Sequence, residues 1–136
     1  DHGWDLDKNA AFLREVCVEL KAAGIRVSLF VDYDCPNIAL AKELGADRVE
    51  LYTEPYAETY GTPQNDAILA QFGQAAMAAQ AAGLGVNAGH DLNLENLAKF
   101  VALPNILEVS IGHALIVECL EQGMEKTLMQ YLYILR

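Results

Sequence analysis

The sequence predicts an α/β fold built on a parallel sheet, and three observations carry that prediction. Short β-branched apolar runs alternate with longer segments of helical periodicity. Two of those runs end in Gly-His, at Gly89-His90 and Gly112-His113, each ahead of a helical segment. With 136 residues, 53% of them apolar, the chain can bury the core of a single domain.

Asp7-Lys8-Asn9 reads as a helix start, and apolar residues follow at Phe12, Leu13, Val16, Val18 and Leu20 until Ala23-Gly24. Ile25 to Val31 is the first strand, with Asp32-Tyr33-Asp34 at its carboxyl end. Asp32 and Asp34 read as functional strand-end carboxylates or as caps for a helix that Pro36 opens and Gly45 ends. Asp47 to Thr53 alternates Val49 and Leu51 against Glu50 and Tyr52, which marks a strand. Within it Glu50 calls for a partner, and Arg26 or Arg48 is expected to pair with it. Glu54 to Gln64, with Pro55, Gly61 and Pro63, reads as a long loop. Tyr52, Tyr56 and Tyr60 are expected to pack the rim there or to cover a site. Asn65 or Asp66 caps an Ala-rich helix running to Ala82. Gly85 to Gly89 is the third strand, Asn93 caps a helix from Leu94 to Leu103, and Ile106 to Ile111 is the fourth strand. A last helix runs from His113 to near Leu135, with Gly123 as its weak point.

Alternation of this kind packs helices outside a parallel sheet. Four βα units are half of a (β/α)8 barrel, and an open four-stranded sheet is the alternative. The formal charge of −10 and pI near 4.5 argue against nucleic-acid and anionic-membrane partners. The cysteines Cys17, Cys35 and Cys119 are odd in number and lack CxxC spacing, which fits reduced thiols and a cytoplasmic location. No apolar run reaches the roughly 18 residues of a membrane span. The opening residues are not a signal peptide and lack Met, so the chain is expected to begin partway through a longer protein.

Strand ends of parallel sheets are where α/β folds place chemistry. His90, thrown out after Gly89, can exchange a proton near neutral pH. His113 opens a helix whose free N–H groups and dipole suit an anion. The plainer alternatives are a surface-loop histidine and a first-turn histidine without a ligand. His2 reads as solvated.

Four segments carry a resemblance: Gly24 to Asp32, Val49 to Thr53, Val86 to His90 and Ile111 to Ala114, together with the opening Asp1 to Leu6. In order and spacing they resemble the later strands of the pyridoxine 5′-phosphate synthase family. The resemblance implies a TIM-type barrel of which residues 1–136 are the C-terminal half, from the helix before strand five through strand eight. It implies condensation of 3-amino-2-oxopropyl phosphate with 1-deoxy-D-xylulose 5-phosphate in vitamin B6 biosynthesis. It implies a catalytic proton donor at His90, and substrate or phosphate contacts at Asp91, Gly112 and His113. Asp91 stands where the family usually has a substrate-contacting Gly, so a carboxylate is added there. Glu54 likewise replaces a Gly after the strand-six Thr. No cofactor and no metal are expected. The expected partners are phosphorylated small molecules, the N-terminal half of the barrel, and further copies, the family being octameric. The base-bearing residues belong to that first half, so the segment alone is expected to be inactive. The other readings are a non-catalytic phosphate-binding or assembly module, and another phosphate-binding barrel enzyme or a metal-dependent one using His90 and His113.

Overall fold

The computed structural model describes residues 2–136; Asp1, the first residue of the opening motif, lies outside them. The elements run α1 (Ala10–Ala22), β1 (Ser28–Val31), α2 (Leu40–Leu44), β2 (Arg48–Tyr52), α3 (Glu54–Thr59), α4 (Asn65–Ala81), β3 (Gly85–Gly89), α5 (Leu97–Phe100), β4 (Ile106–Ser110), α6 (His113–Gln122) and α7 (Met124–Ile134). The strands form one sheet in the order β1-β2-β3-β4, every pair parallel. This is the predicted α/β architecture, and its four parallel strands are those of a half-barrel.

Side-chain alternation gives the sheet two unlike faces. Leu29, Val31, Val49, Leu51, Val86 and Ala88 point to one face and are buried. They pack with Leu13 and Cys17 of α1, Leu44 of α2, Phe72, Ala76 and Ala79 of α4, and Phe100 of α5. The alanines of α4 let that helix lie close to the strands. The other face carries the register row Phe30, Glu50, Asn87 and Glu108. That row is largely polar and, except for Asn87, half-buried or exposed.

The N-terminal segment straps β1. Trp4 N–H donates to Phe30 O at 2.8 Å and Gly3 N–H to Asp32 Oδ1 at 2.8 Å. A Cβ at Gly3 would collide with the backbone of Val31 and Asp32, so only glycine permits this approach. Asp32 therefore anchors the strap rather than capping the next helix.

Several boundaries differ from expectation. The first strand starts at Ser28, because Val27 N–H is taken by Asp47 Oδ2 at 2.9 Å. After Pro36 the chain runs through turns closed by i to i+3 bonds, and only Leu40–Leu44 is α-helical, ended by Gly45 at φ 104. Glu54–Thr59 is a helix, not a loop; Pro55 sits in its first turn, where its missing N–H costs nothing. Asn65 opens α4 without capping it, its side chain donating instead to Tyr56 O at 3.1 Å. Asn93 does cap, its Oδ1 accepting from the N–H groups of Glu95 and Asn96 at 3.0 Å each, although the α-helix proper is confined to Leu97–Phe100.

Gly123, at φ 92 and ψ 141, splits the last helix in two. Thr127 Oγ1 donates to Glu118 O at 3.1 Å and Tyr131 Oη to Glu118 Oε2 at 2.5 Å, fastening α7 onto α6. Burial and the nearby Glu118 carboxylate push the Tyr131 hydroxyl well above its ordinary pKa. Beyond this contact the end of the chain is apolar and open: Leu107, Ile116, Leu120, Leu128 and Leu132 are all exposed. Among the described residues, no helix is long and apolar enough to cross a membrane.

Candidate active site

β3 ends at Gly89, and the next two residues take left-handed backbone, His90 at φ 98 and Asp91 at φ 57. Non-glycine residues rarely adopt this region, at a cost of about 1–3 kcal/mol each. The surrounding structure imposes it. Fully buried Thr53 donates its hydroxyl to His90 O, and its N–H donates to Gly89 O at 3.0 Å. Asn96 Nδ2 donates to Asp91 O at 3.0 Å, and Asn96 Oδ1 accepts from Asn93 N–H at 2.9 Å. The Tyr52 ring meets the His90 imidazole edge-on, with centroids 4.8 Å apart. Tyr52 is thus buried beside the site, its hydroxyl donating to Glu54, whereas Tyr56 belongs to the core.

One strand over, β4 ends at Ser110 and Gly112 leads into α6, whose first residue is His113. No side chain caps that helix start, and a Cβ at Gly112 would meet open space. His113 is 74% exposed at its side chain. Asp91 lies between the two histidines: Oδ2 is 3.1 Å from His90 Nδ1, and Oδ1 is 3.6 Å from His113 Nε2. The fold therefore brings His90, Asp91, Gly112 and His113 around one cleft of about 290 Å³. A larger cavity of about 550 Å³ lies under the N-terminal strap, between Trp4, Asp5 and Pro36. The smaller cleft is taken as the site because it holds these four residues at the carboxyl ends of adjacent strands.

The same cleft contains Glu50, for which the sequence suggested an arginine partner. Glu50 is not paired with Arg26 or Arg48; both guanidinium groups turn to Glu108, at 3.1 and 3.0 Å, and Arg48 also donates to Asn87 Oδ1 at 2.9 Å. Register explains the difference. Arg48 lies in the row nearer the amino ends of the strands, while Glu50 reaches up toward Gly89 and accepts from Ser110 Oγ at 3.3 Å. Burial, and to a lesser degree the Glu108 charge, raise its pKa above the ordinary carboxylate value, against the lowering effect of the Ser110 bond. The available signal was a strand-interior carboxylate on the face opposite to Val49 and Leu51.

The cleft thus combines an imidazole at a strained strand end, a carboxyl group displaced toward its neutral form, and a helix start presenting N–H groups. Neither Lys nor Arg lines it among the described residues. An anion held here depends on imidazole and backbone donors. The set suits proton transfer next to a bound anion.

Comparison with known proteins finds relatives along the whole chain. The family model of the Pyridoxal phosphate biosynthesis protein PdxJ matches residues 1–136. A pyridoxine 5′-phosphate synthase of Xanthomonas oryzae pv. oryzae (strain MAFF 311018) is 56% identical over 137 residues, covering 100% of this chain and 54% of that protein. One from Albidiferax ferrireducens is 53% identical over 133 residues, covering 97% of this chain and 53% of that protein. One from Xanthomonas campestris pv. campestris (strain B100) is 54% identical over 136 residues, covering 99% and 53%. The chain spans about half the length of these curated relatives.

Proposed function

Because the chain belongs to the Pyridoxal phosphate biosynthesis protein PdxJ family, we propose that it supplies the acid and phosphate side of a pyridoxine 5′-phosphate synthase. Residues 1–136 serve as the C-terminal half of the barrel, and the rest of the barrel supplies the base. The reaction joins 3-amino-2-oxopropyl phosphate to 1-deoxy-D-xylulose 5-phosphate, giving pyridoxine 5′-phosphate, phosphate and water. His90 donates the proton that lets a hydroxyl leave as water. Glu50, with its raised pKa, stabilises positive charge when ionised or gives a proton when neutral. The start of α6, with Gly112 and His113, receives phosphate through N–H donors. The convergence of His90, Glu50 and His113 in one cleft at the strand ends carries this reading.

The working enzyme is cytoplasmic and assembles from several barrels. The isolated 136-residue chain makes no product. Fusing it behind the first half of the Xanthomonas oryzae relative, and assaying pyridoxine 5′-phosphate from the two substrates, tests the assignment. Product from the chimera is the expected result. A folded chimera without product would overturn it.

The exposed apolar surface of β4, α6 and α7 favours a second reading, a half-barrel that associates without catalysing. Light scattering separates the two: self-association of the isolated chain combined with an inactive chimera would support it.

A further inference from the structure

We propose that Glu118 is a positioning residue that sets the distance between the two walls of the cleft. One wall is the end of β3 with Asp91, and the other is the start of α6 with His113. The proposal deepens the reading above and rests on it for its chemical purpose, though not for its test.

Four successive N–H groups in the turn after Asp91 are taken by side chains. Asn93 N–H donates to Asn96 Oδ1 at 2.9 Å, and the N–H groups of Glu95 and Asn96 donate to Asn93 Oδ1 at 3.0 Å each. Those three bonds close within the turn. The fourth leaves it: Leu94 N–H donates to Glu118 Oε1, on α6, at 3.0 Å. Asn96 Nδ2 carries the restraint back to the cleft through Asp91 O. On the other side, the backbone of α6 carries it from Glu118 to His113, each turn fixed by its own hydrogen bonds. Asp91 Oδ1 and His113 Nε2 stand 3.6 Å apart across the cleft, a contact that a small shift of either wall would break.

Apolar packing does not fix α6 in this way. Among the described residues, α6 buries none of its own fully, and α7 buries Thr127 and Tyr131. Those two hold Glu118 itself: Tyr131 Oη donates to Oε2, and Thr127 Oγ1 donates to the Glu118 carbonyl. With Oε2 occupied by α7, Oε1 is left to Leu94. The Leu94 N–H also works against the rise in the Tyr131 pKa, so it lies near that hydroxyl too. A carboxylate oxygen is the stronger acceptor of the two, which gives the amide to Glu118.

Amide hydrogen exchange and nuclear Overhauser effects in the isotope-labelled 136-residue chain read both ends of the link. In Glu118→Ala the Leu94 amide should exchange about 10- to 100-fold faster relative to that of Val86 in the core. The Overhauser effect between the Asp91 Hβ protons and the His113 ring should weaken in the same variant. Glu118→Gln retains an acceptor oxygen and should restore both. Tyr131→Phe frees Oε2 alone and should keep Leu94 protected. An unchanged Leu94 rate in Glu118→Ala, or an unchanged effect between Asp91 and His113, would overturn the proposal. So would loss of Leu94 protection in Tyr131→Phe, which decides the matter by itself where Glu118→Ala does not fold. Because no turnover is measured, an inactive chimera alongside the expected spectra would sink the synthase reading alone.

Discussion

Oε1 of Glu50 occupies the space that a Cβ on Gly89 would need. Ser110 Cβ stands on the other side, 3.0 Å from that position. Gly89→Ala must therefore expel the carboxylate or push β3 and β4 apart. Overpacking of this kind costs about 1–3 kcal/mol. Urea unfolding should show a lower midpoint for Gly89→Ala, and a wild-type midpoint would mean that the Glu50 carboxylate swings aside at little cost and that β3 and β4 are not forced apart.

Glu50 also makes stability depend on pH. Its carboxyl has a pKa raised above 4.5 in the folded chain, chiefly by burial. The folded state therefore binds more protons than the unfolded state from about that pH up to the raised value, and stability falls as pH climbs through the window. Above the window the cost is complete. Glu50→Gln removes it, so the variant should melt higher than wild type at neutral pH. The gain should vanish below pH 4.5, where the wild-type carboxyl is protonated in both states. A gain independent of pH would rule out this origin.

Tyr56 is fully buried and donates its hydroxyl to Asn96 O at 2.6 Å. Burial, and to a lesser degree Tyr60, hold that hydroxyl protonated far above its ordinary range. Tyr56→Phe strands the Asn96 carbonyl, a loss of about 1–3 kcal/mol. Asn96 also holds Asp91, so the damage reaches the cleft. Hydrogen exchange should quicken at the Asn93 to Asn96 turn as well as in the core. Loss of protection in the core without change at the turn would separate the two.

Leu120 is 83% exposed on α6. Leu120→Lys should leave the stability of the isolated chain within about 0.5 kcal/mol of wild type. The same change should weaken any association through this face, which light scattering measures. A large drop in thermal stability would show that Leu120 is buried against another copy in solution.

The strands were legible because Val49 and Leu51 alternate with Glu50 and Tyr52, and because Gly45 stops the preceding helix. α3 was hidden because Pro55 was read as a loop marker, although proline is equally at home in a first helical turn. The break at Gly123 showed as a weak point, but its opening into two fastened helices depends on Glu118 contacts that only the fold brings about. In the site, the Gly-His endings gave the positions of His90 and His113. The partner of Glu50 was not legible, since parallel register decides whether it meets Glu108 or Ser110 across the sheet. Nor was the carboxylate bridge at Asp91, which depends on two successive left-handed residues.

The most direct measurement is the rate of pyridoxine 5′-phosphate formation by the completed barrel carrying His90→Gln. In the proposed role of proton donor, His90 should account for a factor of about 10²–10⁴ in kcat. The predicted result is a loss of that size with KM for both phosphorylated substrates little changed. A His90→Gln enzyme turning over at the wild-type rate would contradict the assignment of the proton donor to the end of β3.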